Sequence, residues 1–243
     1  MRERIHYGKA PITQALIDIQ VQCDPLTDLA VLAAPPPEIA ADYPGMRPVF
    51  DGRATVSLNP GDDPKFETKQ IGYSRVGTAD HRYVLQARLE GLTVSRIEPY
   101  TKWENLRDEF MRIWKWYQAT VKPHAVTRLA VRYTNRLDLP LPFSNFNEYL
   151  CTRPEIGASL PPTVSGFIMQ LQIPMPELPG MAVLNEAIIP PVRDDTVAVL
   201  LDIDVAQSDK LSTDFSDQLE LLHEKEYALF EGSITDKTRG LIK

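Results

Sequence analysis

Cysteine, histidine and glycine are scarce in this 243-residue chain, at two, four and twelve copies. Cys23 and Cys151 cannot build a disulfide framework, and a chain with its own large core needs none. His6, His81, His124 and His223 are scattered. Only His223 sits among acids in a helical stretch, with Glu220 and Tyr227 at ligand spacing, a pairing common on any charged helix face. The few glycines form no GxGxxG and no phosphate loop; HExxH, CxxC, GxSxG and EF-hand patterns are missing too. No catalytic residue, metal ligand or cofactor is therefore assigned. Apolar runs fall short of the roughly 18 residues a membrane span requires. The opening MRERIHYGKAPIT has basic residues but no apolar stretch after them, so the expectation is a cytoplasmic protein with free thiols and no membrane partner. Positive charge is in deficit, 26 Lys and Arg against 33 Asp and Glu, net −7. That disfavours coating nucleic acid through bulk electrostatics and directs attention to local clusters.

What is present is core material, 43% hydrophobic residues, in two periodicities. ITQALIDIQVQC (12–23) alternates in the manner of a half-buried strand. DPLTDLAVLA reads as a short helix ended by Pro35, Pro36 and Pro37. Between about 49 and 98, TVSLN, KFETKQIGYSRV, HRYVLQARLE and LTVSRIE are separated by turn sequences, which predicts a meander. Over 101–122 the residues Trp103, Leu106, Phe110, Ile113, Trp114, Tyr117 and Val121 recur on one helical face, with Thr101 and Glu104 as a capping box and Pro123 as the stop. VTRLAVRYTNRLDL (126–139) alternates again, FSNFNEYL suggests a short helix, and FIMQLQIP, MAVLNEAIIPP and TVAVLLDIDV read as strands. Residues 214–232 form a second amphipathic helix, with Gly232 as its C-terminal stop. In the polar tail, Thr235 or Asp236 is placed to cap one further turn.

The two halves share an order: strand, short helix, meander, long helix. The expected class is α+β, antiparallel sheets covered by two long amphipathic helices. Two units, 1–123 and 124–243, packed as one body, would follow from a tandem duplication, although antiparallel sheets with covering helices also reach such an order independently.

On a strand over 126–139, Arg128, Arg132 and Arg136 share one face while Leu129, Val131, Tyr133 and Leu137 share the other. The guanidiniums then lie about 13–14 Å apart, a spacing suited to separate neighbours rather than one compact anion. Two readings follow. Asp18, Asp202 and Asp204 on neighbouring strands would pair with them, or the stripe would grip a small anion or nucleic acid. On the first long helix Trp116 falls opposite the main apolar stripe, so Trp116, Arg112 and Lys115 form a candidate interface, with burial of the indole as the alternative.

Three stretches together resemble a known family: Tyr7-Gly8-Lys9-Ala10-Pro11-Ile12, Thr127 to Arg136 (TRLAVRYTNR), and Leu222-His223-Glu224 followed by Phe230 and Ile234-Thr235-Asp236-Lys237. They are similar to the recurring blocks of a sporadically distributed, uncharacterised bacterial family of proteins of about this size. The resemblance spans nearly the whole chain and implies no activity, fold or catalytic residue. Its patchy distribution resembles that of mobile or defence-linked genes. The expected function is a non-catalytic binding or assembly protein with a protein partner, within a bacterial defence or toxin-control system. The alternatives are an anion-binding sensor or enzyme using the arginine-lined face, and a hydrophobic-ligand carrier with a cavity between sheet and helix. A homo-oligomer is compatible with each.

Overall fold

The computed structural model describes residues 6–55, 65–78, 81–157, 159, 164–212 and 214–243, without the side chains of 54, 55, 65, 209 and 210. One nine-stranded antiparallel sheet organises them. Its strands are β1 (Ile12–Gln22), β2 (Gly45–Thr55), β3 (Lys65–Val76), β4 (Tyr83–Arg88), β5 (Gly91–Ile97), β6 (Ala125–Pro140), β7 (Ile168–Met175), β8 (Gly180–Ile189) and β9 (Thr196–Leu211), in the spatial order β2-β3-β4-β5-β1-β6-β9-β8-β7. The helices are α1 (Pro37–Asp42), α2 (Trp103–Val121), α3 (Ser216–Ser233) and α4 (Asp236–Ile242). None is long and apolar enough to cross a membrane.

The halves wind alike. β1 pairs with β5 and β6 pairs with β9, so each half's first strand is flanked by its own last strand and by its counterpart. α2 then packs on β5 and β1, and α3 on β9 and β6. The expected units 1–123 and 124–243 therefore share one sheet, joined along β1 and β6. Alternation explains the layering. Ile17, Ile19 and Val21 of β1, Leu129, Val131 and Tyr133 of β6, and Leu201, Ile203 and Val205 of β9 turn to one core with Leu106, Phe110, Ile113 and Trp114 of α2 and Leu219 and Leu222 of α3.

Several boundaries differ from expectation. The segment after β1 forms a 3-10 turn at Leu29–Leu32, and Pro37 opens α1 at its first position instead of ending a helix. β2 begins at Gly45, upstream of the expected meander, with Pro48 tolerated because β2 is an edge strand. TVSLN lies outside the described residues apart from Thr55. FSNFNEYL forms only a 3-10 turn, Phe146–Glu148. The capping box of α2 does not form: the cap residue is Lys102, without a side-chain bond, and the Thr101 hydroxyl accepts from the Asn105 amide at 2.9 Å. Gly232 stays inside α3, because Cys151 N–H donates to the Ser233 carbonyl and Thr235 N–H to the Tyr149 carbonyl, which carries the helix to that docking point. The tail folds as α4, capped by Thr235, with Lys9 N–H bonded to the Ile242 carbonyl.

Candidate functional site

The arginine stripe lies on the sheet face away from the long helices, and each guanidinium meets a carboxylate. Arg128 donates to Asp18 at 3.0 Å and to Asp204 at 2.8 Å. Arg132 makes a two-pronged pair with Asp202, 2.7 Å on each prong. Arg136 donates to Asp138 at 3.1 Å and to the Pro190 carbonyl at 3.2 Å. Buried Asp202 also accepts from Thr134 and Asn185, which fills both its oxygens. Arg88 joins through Asp18 at 3.0 Å. Burial pushes the Asp204 carboxyl up, against the opposing pull of Arg128 and Arg132. Arg88, Arg128 and Arg132 thus stand against Asp18, Asp202 and Asp204 in a balanced network.

Of the two readings of Trp116, an interface indole or a buried one, the buried one is found: it is 9% exposed and part of the core. The helical wheel places it opposite the sheet-facing stripe, but α2 is also covered on its outer side, where it packs against the turn at Leu29–Leu32. Tyr43 and Asp42 reach the same helix. The Tyr43 hydroxyl donates to Glu109 at 2.7 Å, and Arg112 bridges Glu109 and Asp42 at 2.8 Å each. Burial alone would raise Glu109, but its bonds from Arg112 and Tyr43 hold it below the usual carboxylate range. Arg112 is therefore engaged within the fold, and Lys115 is exposed.

A different place gathers the chemistry. A cavity of about 760 Å³ opens between the chain before β1, the start of α2, the middle of β6 and α3. Its wall is aromatic. Trp103 stacks flat on His223, 4.0 Å between centroids and 9° between planes, and Tyr133 follows His223 at 5.9 Å and 30°. The hydroxyls of Tyr100 and Tyr133 are 2.8 Å apart, and Tyr7 packs edge-on against Phe230 while donating to Glu231. The Trp103 indole N–H donates to Glu220 at 2.9 Å, which Arg107 also holds, so the column is fixed from behind. Lys9, Arg82 and Lys102 with Glu98 and Glu104 supply charge of both signs around it.

Two buried polar groups adjoin these rings. Asn135 of β6 lines the cavity at 1% exposure, and among the described residues its side chain makes one hydrogen bond, from Nδ2 to the Leu201 carbonyl at 3.2 Å. Glu226 is buried on the face of α3 that carries His223 and Phe230, and burial drives its carboxyl well above the usual range. Burial also raises the Tyr100 hydroxyl.

The stretches YGKAPI, TRLAVRYTNR and LHE with Phe230 meet here. Tyr7, Lys9, Pro11 and Ile12 come from the first, Tyr133 and Asn135 from the second, and His223 and Phe230 from the third. Arg128, Arg132 and Arg136 do not line this cavity, being on the opposite sheet face. Sequence reasoning named Tyr7, Tyr133 and His223 but gave them no joint role, and it assigned no role to Asn135 or Glu226. One signal was available: Asn135 is an amide in the core-facing register of β6, between Tyr133 and Leu137, and Glu226 is an acid in the buried register of α3. No group of three or more His, Cys, Asp or Glu side chains among the described residues is arranged to hold a metal ion. No protein-family model matches the chain, and neither does any curated protein.

Proposed function

We propose that this chain is a non-catalytic binding protein that holds a small molecule in the aromatic cavity between α2, β6 and α3. The observation that carries the reading is convergence: three stretches far apart in sequence supply Tyr7, Tyr133 and His223 to one cavity. The cavity has the size of small-molecule sites, with ring faces for contact and few polar groups for orientation. The arginine face is the weaker candidate, because a ligand anion would have to displace Asp18, Asp202 or Asp204 from guanidiniums they already satisfy. Native mass spectrometry with anilinonaphthalene sulfonate tests the reading. One probe molecule per wild-type chain, lost when Ala10→Trp fills the cavity, is expected; binding unaffected by Ala10→Trp would defeat it.

A second reading, docking of another protein in an assembly such as a defence or toxin-control system, is favoured by one observation. Phe50 and Phe66 lie on one face of the β2–β3 hairpin where β3 has passed the end of β4, at 58% and 77% exposure. Phe50→Ser with Phe66→Ser should release a partner that co-purifies with the wild type, and retention of that partner would count against it. The like winding of the halves is read as a tandem duplication. Superposing 6–123 on 124–243 should then lay β1, β5 and α2 on β6, β9 and α3, and failure of α2 to fall on α3 would refute it.

A further inference from the structure

The two edges of the nine-stranded sheet are built differently. β2, at one end, carries Arg47, Pro48, Asp51 and Arg53 and an irregular register between Val49 and Phe50. Charge, proline and bulges are the features that keep an edge strand from pairing with another chain. β7, at the other end, reads IMQLQIPM, with a continuous register, no charged residue and Pro174 as its one guard. The ladder shows which of its backbone groups are available. Ile188 N–H donates to the Phe167 carbonyl at 3.2 Å, and these two residues lie directly opposite when the β7–β8 register is extended by one step, so they form a bonded pair of that ladder. Bonded pairs alternate, which turns the backbone of Met169, Leu171 and Ile173 toward β8 and that of Ile168, Gln170, Gln172 and Pro174 outward. Among the described residues, nothing is bonded to the outward N–H and C=O groups of Ile168, Gln170 and Gln172. The side chains along this edge are open as well, Ile168 at 90% exposure and Leu171 at 37%.

We propose that β7 pairs antiparallel with β7 of a second copy of this chain, about a two-fold axis at Gln170, so that the two sheets join as one. The edge itself selects occupant and register. With Gln170 opposite the partner's Gln170, Ile168 falls opposite the partner's Gln172, and every outward N–H of each copy meets a carbonyl of the other. Pro174 then lies past the first residue of the partner's β7, outside the ladder. Moving the axis to Leu171 would aim the Ile168 carbonyl at the ring of the partner's Pro174, which has no N–H to give. The same pairing sets Leu171 beside the partner's Met169 on the core-facing row, an apolar cross-strand pair. Each chain carries a net charge of −7, so two copies repel unless they meet where charge is absent, and β7 is such a place. One strand pair is a small interface, and the dimer accordingly forms in the micromolar range, about 1–100 μM. The site is separate from the aromatic cavity, which no residue of β7 lines.

Sedimentation velocity of the full chain tests the pairing, with amide hydrogen exchange to locate it. The wild type is expected to pass from monomer to dimer across about 1–100 μM. In the dimer, exchange should slow at Ile168, Gln170 and Gln172 and stay as it was at Met169 and Leu171, whose N–H groups β8 already holds. Gln170→Pro removes an N–H that the monomer does not use and should weaken the dimer at least about tenfold. Ile168→Lys puts a charge on the edge at an open position and should act in the same direction. A wild type that stays monomeric at about 100 μM overturns the proposal, even if β7 is found to accept a strand of a different protein. A dimer that survives both variants overturns it too, as does one whose slowed amides lie in β2 or elsewhere. If Gln170→Pro does not fold, Ile168→Lys and the exchange pattern of the wild type decide.

Discussion

The Trp103 indole lies flat against the His223 imidazole, 4.0 Å between centroids, while its N–H is held by Glu220 from the same helix as the histidine. One side chain at the start of α2 thereby ties that helix to α3 and builds a wall of the cavity. Trp103→Ala should cost about 3–5 kcal/mol in denaturant unfolding, as truncation of a buried aromatic does, and should abolish dye binding. Trp103→Phe should keep most of the stability. Equal unfolding midpoints for the wild type and Trp103→Ala would show that the stack does not join the helices.

The arginines should differ in weight despite their even spacing. Removing Arg132 leaves the buried Asp202 without its bidentate partner, so Arg132→Gln should destabilise by about 3 kcal/mol. Arg136 faces the exposed Asp138, and Arg136→Gln should cost less than about 1 kcal/mol. Chemical denaturation of the two variants checks the order, and equal costs would contradict the burial argument.

Glu186 makes stability fall with rising pH. It is 0% exposed, between Met169 and Leu201 in register, and neither oxygen has a partner among the described residues. Burial pushes its carboxyl up to about 8. The folded chain therefore holds a proton that the unfolded chain releases in the ordinary carboxylate range, so stability is full below that range and is lost as pH rises toward 8. Glu186→Leu should stabilise at pH 7, on the order of 3 kcal/mol, and should flatten the decline between pH 5 and 8. Unfolding curves at several pH values measure both, and an unchanged pH slope would refute the assignment.

Glu109 works in the opposite sense. Its folded value is depressed by Arg112 and Tyr43, so its contribution is present above the ordinary carboxylate range and is lost as pH falls through the depressed value. Glu109→Gln should destabilise at neutral pH and should lose less on acidification than the wild type. Parallel pH profiles for the two chains would be the contrary result.

α4 should act as a clasp. Thr235 caps it, the Thr238 hydroxyl donates to the Tyr149 carbonyl, and the Ile242 carbonyl holds Lys9 N–H ahead of β1. Thr235→Ala should cost about 1 kcal/mol. Hydrogen exchange at Lys9 should quicken in that variant, and unaltered exchange would separate α4 from the amino-terminal segment.

Strands and long helices were legible because their periods are imposed by one continuous core: β1 and α2 show a clean apolar face in sequence, and β6 and α3 a mainly apolar one interrupted by Asn135, His223 and Glu226. The ends were less so. Thr101 looked like a helix cap, but Asn105 occupies its hydroxyl; Gly232 looked like a stop, but the contacts of Ser233 and Thr235 with the 149–151 segment extend α3. For Trp116 the sequence left interface and burial both open, because a wheel drawn for one buried face does not register a second covering element, here the 29–43 segment. The cavity was illegible for a related reason. Tyr7, Asn135 and His223 acquire a common role only once β1 pairs with β6 and α3 folds over them, and no spacing along the chain records that meeting.

The central claim is that the aromatic cavity is a binding site. The most direct measurement is titration of the folded protein with anilinonaphthalene sulfonate, read as loss of indole fluorescence in the wild type and in Trp103→Phe. The account predicts one saturable site per chain, with indole quenching sharply reduced in Trp103→Phe. Quenching that never saturates, or that is the same in both proteins, would contradict it.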